Sequence, residues 1–331
     1  MIRIGIVSFW HVHAWDYTKQ ALAHAGAEVS AVWDEDPARG QEAADKLNVP
    51  FFSNLDEMLQ YEALDGIIVT SPTNQHEEIM VKAAQAGKHI FTEKVVSTTL
   101  RGANQILDAV EQAGVKLTVS LPRLNDRYTL AIEQLLEKET LGQITLVRVR
   151  LSHNGATAEW LPEHFYNLEQ CGGGALIDLG CHPMYLTRLF LGGLPTEVST
   201  QYGYVTGKDV EDNAVSLLRG ANGAIGIVEA GFVNAHSPFT IEVHGTKGTL
   251  LYGTPEEKLL VRSSALKQDE WQQVELPEQR ESAFDQWIRH IEQNTVAEQN
   301  ISLAKELTML MEASNRSHHE KRAVSLAELE R

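Results

Sequence analysis

The run Gly172-Gly173-Gly174 leads into Ala175-Leu176-Ile177-Asp178-Leu179-Gly180-Cys181-His182, so a carboxylate and an imidazole stand four residues apart behind a glycine-rich turn. Read as a glycine loop entering one helix that continues to about Leu191, the stretch places Asp178 and His182 on a single face, projecting toward a common point. A carboxylate beside an imidazole orients the ring and stabilises its protonated form, which is what a base accepting a hydroxyl proton requires. A surface salt bridge would use the same pair, but flexible backbone next to a paired acid and base is common at sites and costs stability in a plain helix. Another carboxylate, Asp34, ends the strand-like run Val29 to Trp33. There it can accept both ribose hydroxyls of NAD and would repel a 2′-phosphate, so NAD is expected rather than NADP, with no adjacent arginine available to compensate. Asp34 also belongs to the acidic cap Asp34-Glu35-Asp36, and the two roles are compatible.

These groups need elements to position them. Up to about residue 120, short apolar runs alternate with helical patterns: Ile2 to Val7, Val29 to Trp33, Gly66 to Thr70, His89 to Thr92 and Lys116 to Ser120. Continuous apolar strands separated by helices indicate a parallel sheet covered on both faces, which binds ligands outside the carboxyl ends of its strands. Helix boundaries agree, with Asp36-Pro37 as a cap and first helical residue, Asn74 and Glu77 as a capping box, and Gly87 as a stop. The first strand is followed by Ser8-Phe9-Trp10-His11-Val12-His13, where dinucleotide-binding folds carry G-x-G-x-x-G, and all three glycine positions are filled, by Ser8, Trp10 and His13. Side chains there hold the backbone farther from a pyrophosphate, although Ser8, His11 and the N–H groups of the following helix can still donate to it. Equally, the two histidines can cap or pack around the helix start.

Beyond a helix at about Asp126 to Glu139 the rhythm changes. Thr145, Val147, Val149 and Leu151 alternate with Arg148, Arg150 and Ser152 in the two-residue period of a half-exposed strand, and similar runs follow at Val198 to Val205, Ala214 to Arg219, Ala224 to Val233, Phe239 to His244 and Thr249 to Tyr252. Two helical stretches, Ala283 to Gln293 and Leu303 to His318, close the chain. The fold class is therefore α/β: an N-terminal Rossmann parallel sheet over 1–121, then a C-terminal α+β domain over 122–331 with a large, mainly antiparallel open sheet.

Two further elements make the sequence recognisable. The run Asp65-Gly66-Ile67-Ile68-Val69-Thr70-Ser71-Pro72-Thr73-Asn74-Gln75-His76, then Ala86-Gly87-Lys88-His89-Ile90-Phe91-Thr92-Glu93-Lys94, resembles the T-P-x-x-x-H and A-G-K-H-V-x-x-E-K-P elements of the Gfo/Idh/MocA oxidoreductase family. Both occur in order with the expected helix between them. The resemblance implies that Ser71, Pro72, Thr73 and His76 lie along the cofactor together with Ser8, Trp10, His11, Asp34 and Glu93. It also puts Lys94 at the nicotinamide, contacting the reacting hydroxyl, where an ammonium stabilises a developing alkoxide. The family's proline is Val95 here, so a cis peptide such as relatives use would cost about 2.5 to 4 kcal/mol. The stretch from Gly172 resembles the family's G-G-G-x-x-x-D-x-G-x-H motif, which implies substrate contact for Asp178 and proton exchange for His182. The aspartate common three residues beyond that histidine is Tyr185 here. Arg123 stands where relatives place a polar residue facing the cleft, and Trp160, His164 and Tyr166 precede the glycines in a loop whose rings could stack on a sugar or simply pack. The segments Val210-Glu211-Asp212-Asn213 and Gly245-Thr246-Lys247-Gly248-Thr249 resemble later family elements and read as structural.

Composition narrows the classes. A formal charge of -17 argues against a nucleic-acid partner, which needs a basic face. Cys171 and Cys181 fit neither a disulfide framework nor a structural zinc site, and no apolar run reaches the length of a membrane span, so an unprocessed cytoplasmic protein is expected. His11, His13, His164 and His182 raise metal chemistry, but no close ligand spacing beyond His11-x-His13 supports it and no metal is expected. The reading is an NAD-dependent dehydrogenase acting on a secondary alcohol of a sugar, cyclitol or related polyol, working as a homodimer or homotetramer. The other class considered is a dinucleotide-binding regulatory or scaffold protein with little turnover, motivated by the missing glycines and by Val95.

Overall fold

A computed structural model describes residues 1–253, 256–267 and 270–330. The chain divides into two compact units, Met1–Leu121 with Glu281–Thr308, and Pro122–Arg280 with Met309–Arg331.

In the first unit the strands are β1 (Ile2–Val7), β2 (Ala27–Trp33), β3 (Phe51–Phe52), β4 (Gly66–Val69), β5 (His89–Thr92) and β6 (Leu117–Val119). They form one parallel sheet in the order β3-β2-β1-β4-β5-β6. The helices between them are α1 (Ala14–Ala23), α2 (Pro37–Leu47), α3 (Leu55–Leu59), α4 (His76–Gln85) and α5 (Leu100–Ala113). All four residues of β4 are buried, as strands covered on both faces require. Helix starts follow local chemistry: the Asp36 carboxylate accepts from Ala38 N and Arg39 N with Pro37 in the first turn, and Thr99 accepts from Gly102 N ahead of α5. Asn74 departs from the expected capping box, because it lies in a 3-10 turn, Thr73–Gln75, and α4 begins only at His76 with no side-chain cap.

A single boundary after residue 121 does not describe the first unit. Its sheet is completed by α10 (Ala283–Gln293), whose Phe284, Trp287 and Ile288 sit in one core cluster with Ile4, Ile6, Tyr17, Ile68 and Phe91. The edge of β6 is met by Asn300, which accepts from Val119 N and donates to Val119 O, each at 2.8 Å, satisfying backbone groups an edge strand would leave open. Asn300 lies on α11 (Glu298–Glu320), which passes from the first unit into the second. The apolar pattern near the end of the chain shows a helix but not which sheet it covers.

The second unit holds α6 (Arg127–Glu137), β7 (Ile144–Ser152), α7 (Leu168–Cys171), α8 (Ala175–Asp178), α9 (Cys181–Phe190), β8 (Glu197–Gly203), β9 (Asn213–Arg219), β10 (Ile225–Gly231), β11 (Thr240–Gly245), β12 (Gly248–Tyr252), β13 (Leu259–Ser263), β14 (Gln272–Gln273) and β15 (Val324–Ser325). The nine strands run in the order β14-β13-β12-β11-β7-β10-β9-β8-β15, antiparallel throughout the described residues except for the pair β7 and β10. One face is covered by α8 and α9; on β9 this buries Ala214, Ser216 and Leu218 and leaves Val215, Leu217 and Arg219 exposed on the other. That open face also carries Ile225 and an ion-pair group in which Arg148 reaches Glu229 at 2.7 Å and Glu242 at 3.7 Å.

Candidate active site

In the first unit the strand order reverses between β1 and β4, and open parallel sheets bind ligands at such a point, outside the carboxyl ends of the strands. The turns after these two strands are tied together: His11 N donates to Thr70 O at 3.1 Å and the Thr70 hydroxyl donates to Ser8 O at 2.6 Å. Ser8 is fully buried with a φ of 73°, so a serine holds the left-handed backbone that a glycine would adopt at this position. Its hydroxyl accepts from Trp10 N at 3.0 Å, which fixes the turn without glycine. His11 and Trp10 are buried beside it, whereas the His13 side chain is half exposed.

Asp34, 2 % exposed, ends β2 with both carboxylate oxygens engaged. Phe9 N and Asp36 N each donate to it at 2.8 Å, and Arg39 donates in bidentate fashion from Nε at 2.9 Å and Nη2 at 2.7 Å. Arg39 also reaches Glu35 Oε1 at 2.6 Å. The expectation that no arginine compensates Asp34 is therefore corrected: the first turn of α2 brings one onto it. Beside this corner a cavity of about 380 Å³, lined by Trp33, Glu35, Ser53, Asn54, Gln75 and Ile79 among others, has the size of a site for part of a nucleotide. A buried carboxylate after β2, a cavity beside it and turn backbone at the switch point fit a dinucleotide.

The residues of the two recognised elements take different places. Ser71, Pro72 and Thr73 follow β4, with Ser71 and Pro72 buried. His76 is 1 % exposed and its ring lies between two carbonyls, Nδ1 3.0 Å from Val95 O and Nε2 3.2 Å from Ser71 O. Burial pushes its pKa below the usual imidazole value, against the upward pull of those carbonyls and of Glu93. It pins the turn after β5 to the turn after β4. The Lys94–Val95 peptide is cis, and Lys94 is 8 % exposed. Glu93, also buried, accepts from Lys94 N at 2.7 Å and from the Tyr17 hydroxyl, whose oxygen in turn accepts from the Ser120 hydroxyl at 2.7 Å. Burial alone would raise the Glu93 carboxyl, but His11, Lys94, His13 and Tyr17 together hold it below the usual range, so it is an anion. Tyr17 had no motif to mark it; only its place on the buried face of α1 could have done so.

In the second unit the acid and the imidazole do not share one regular helix. α8 ends at Asp178, Leu179-Gly180 interrupts, and α9 starts at Cys181, with Gly180 N returning to Ala175 O at 2.9 Å. The four-residue helical-face argument is corrected accordingly: Asp178 closes one short helix and His182 opens the next. His182 Nδ1 lies 3.2 Å from the Tyr185 hydroxyl, and that hydroxyl accepts from Arg123 N at 3.1 Å. Tyr185 is 1 % exposed, and burial keeps its phenol protonated far above the usual range. The residue standing in for the family's aspartate thus orients the histidine. Asp178 acts electrostatically on His153, whose ring stacks on Phe232 at 5.1 Å and meets Trp160 at 4.6 Å. Burial lowers the His153 pKa while Asp178 pulls it up. His153 was not among the residues expected from sequence, since it ends β7 with no motif around it.

The Arg123 side chain turns to Tyr128, donating to its hydroxyl at 3.0 Å and lying 4.4 Å over the Phe239 ring. Trp160 is 55 % exposed, whereas Tyr166 is buried in a small cluster with Ala175, Val210 and Phe232 and carries Lys208 over its ring at 4.7 Å. His164 lies in the same turn, Glu163–Tyr166. Tyr166 is thereby a packing residue of the glycine loop. That loop is clamped by Glu211, whose carboxylate accepts from Gly174 N at 2.8 Å and Leu176 N at 2.9 Å. A side chain on Gly174 would begin 2.1 Å from Glu211 O, so no residue but glycine fits.

Comparisons with known proteins agree with this geometry. Residues 2–121 match the oxidoreductase family with an NAD-binding Rossmann fold, and residues 129–251 match the GFO/IDH/MocA C-terminal domain. The chain is 27 % identical over 238 residues to a 1,5-anhydro-D-fructose reductase of Ensifer adhaerens, covering 70 % of each chain. It is 24 % identical over 267 residues to a myo-inositol 2-dehydrogenase of Thermotoga maritima, covering 78 % of each. A solved structure from Desulfitobacterium hafniense, described as an NADPH-dependent oxidoreductase, superposes with a TM-score of 0.86 at 19 % identity, covering 99 % of this chain and 98 % of the other. With both of its halves matched and its dinucleotide corner in place, the chain belongs to the Gfo/Idh/MocA family of NAD-binding oxidoreductases.

Proposed function

We propose that the protein is an NAD-dependent dehydrogenase interconverting a secondary alcohol and a ketone on a sugar, cyclitol or related polyol. Two observations support this reading in a family of oxidoreductases: in the first unit a buried lysine follows β5, and in the second unit a histidine ring is held by a buried phenol. The bound nicotinamide supplies the hydride acceptor. In the alcohol-to-ketone direction the C–H hydride leaves the carbinol carbon while the hydroxyl proton passes to His182. The Lys94 ammonium stabilises the developing alkoxide. In this reading His182 Nδ1–H donates to the Tyr185 oxygen, which fixes the ring and leaves the accepting lone pair on Nε2 as the proton-exchanging atom. Asp178 acts with His153 and Trp160 as a substrate-facing group rather than only as the orienter of His182. The names of relatives that act on an inositol and an anhydro-sugar support the substrate class.

NAD is preferred to NADP in this reading because the Arg39 guanidinium is already bound by Asp34 and Glu35. We further propose a cytoplasmic homodimer or homotetramer, a reading supported by the free thiols Cys171 and Cys181 and by exposed Val215, Leu217 and Ile225 on the open face of the nine-stranded sheet. Among the described residues no helix is long and apolar enough to cross a membrane. The test is a panel of sugars, inositols and sugar acids supplied with NAD while reduced nicotinamide absorbance is followed. Turnover on a polyol supports the reading; tight NAD binding with no turnover on any member would favour the scaffold function instead.

A further inference from the structure

The turn that lacks the three glycines brings two histidines against a buried carboxylate. His11 and His13 lie between β1 and α1, and Glu93 follows β5, some eighty residues later in the chain. Because β1, β4 and β5 are successive strands of one parallel sheet, their carboxyl ends meet at one edge. Each of the three side chains presents a ligand atom there, and these atoms all lie within 4.8 Å of one another. His11 Nδ1 is 3.8 Å from Glu93 Oε1, and the two imidazole rings are 5.2 Å apart.

We propose that His11, His13 and Glu93 form a binding site for a divalent cation of the zinc class. Two imidazoles and one carboxylate are a ligand set typical of zinc sites that keep a further coordination position open. Ligand atoms about 2.1 Å from one zinc stand roughly 3.4 Å apart in a tetrahedron, so the His11 to Glu93 spacing is close to the bound geometry and the rest is reached by turning the His13 ring. That ring can turn, since its side chain is 50 % exposed, and the same exposure provides a path for the ion. His11 Nδ1 accepts from His13 N at 3.2 Å, so this nitrogen is unprotonated, and zinc would take the place of that N–H on the same lone pair.

The surrounding contacts are those that orient metal ligands. Asp16 Oδ2 lies 3.2 Å from His13 Nδ1, the carboxylate-to-imidazole pairing that fixes a ligating histidine. Tyr17 and the Lys94 backbone N–H hold the Glu93 carboxylate from two sides, and Ser120 holds Tyr17. If the dinucleotide reading holds, a cation here also supplies positive charge to the diphosphate on a turn without the usual glycines; the site itself stands without that reading.

The experiment uses the full chain, stripped with a chelator and titrated with zinc against a chromophoric competitor, and in parallel with cobalt, whose visible spectrum reports tetrahedral nitrogen and oxygen ligation. No cofactor is present, so the outcome is independent of turnover. The proposal expects about one equivalent of zinc per chain, weakened about tenfold or more in His13→Ala, with loss of the cobalt spectrum. His13 is exposed enough for this change to leave folding intact, and Glu93→Gln, checked for its circular dichroism, should have the same effect. His236→Ala, at an exposed loop position, should bind as the wild type does. Absence of competitive uptake, or uptake equally tight in His13→Ala, overturns the proposal.

Discussion

Asp34 shows how much one side chain can be asked to do. Its carboxylate anchors Phe9 N of the first turn and Asp36 N of its own turn, and it holds Arg39 in bidentate contact. The place of Asp34 just beyond the second strand was legible in the sequence. Arg39 was not, because the acidic run and Pro37 announce a helix start without saying which way the guanidinium five residues on will fold back. We predict that Asp34→Ala shifts the ratio of NADP to NAD affinity about tenfold toward NADP, about 1.4 kcal/mol, since Arg39 loses its bidentate partner and can face a 2′-phosphate. Affinity for both cofactors should fall as the turn loses its anchor, so the ratio from parallel fluorescence titrations is the readout. An unchanged ratio would remove Arg39 from cofactor choice.

Among the elements, α8 and α9 carry Asp178 and His182, the proposed substrate-side groups, and the start of α8 is held by Glu211. Burial pushes this carboxyl from 4.5 up to about 7, against the donors Leu176 N and Gly174 N, which favour its charge. The fold therefore favours the neutral form. The resulting stabilisation is complete below the ordinary value near 4.5 and is lost as pH rises through about 7. The full effect is on the order of 3 kcal/mol. Denaturant midpoints followed across that range should fall for the wild type and flatten in Glu211→Gln, which should itself cost about 1 to 3 kcal/mol by setting an amide N–H against a backbone N–H. A slope unaffected by the substitution would assign the pH response elsewhere. Gly174→Ala should cost at least about 1 to 3 kcal/mol in the same measurement, because its Cβ would collide with Glu211 O. The glycine triplet and the Asp178, His182 spacing were visible as a motif. The break at Leu179-Gly180 was not, since a glycine inside an apolar helical pattern is usually tolerated. Nor was the role of Tyr185, which depends on burial.

At the scale of the molecule, the parallel order of the first sheet and the mainly antiparallel second sheet followed from the periodicity of apolar residues, because period and burial are the same physical fact seen twice. What periodicity does not encode is which sheet a late helix covers, so the return of residues 281–308 to the first unit emerged only in three dimensions. Trp287 is fully buried there, against Phe91 and Phe284, with its indole N–H directed at Lys116 O at 3.3 Å. Trp287→Ala should lower stability by about 3 to 5 kcal/mol. A fragment limited to residues 1–121 should fail to give a cooperative thermal transition by circular dichroism; a cooperative transition would show that the returning segment is dispensable. The open face of the second sheet should give a dimer or tetramer by light scattering at micromolar concentration, and a monomer would count against that assignment. Lys94 and His182 are proposed to act on the substrate hydroxyl and not on the dinucleotide. The most direct test is the turnover of Lys94→Ala and His182→Ala on a confirmed polyol substrate, measured beside NAD affinity. Each variant is expected to lose about a hundredfold or more in turnover with NAD binding largely retained, and the losses should be less than additive in the double variant. Near-normal turnover in both single variants would contradict these roles.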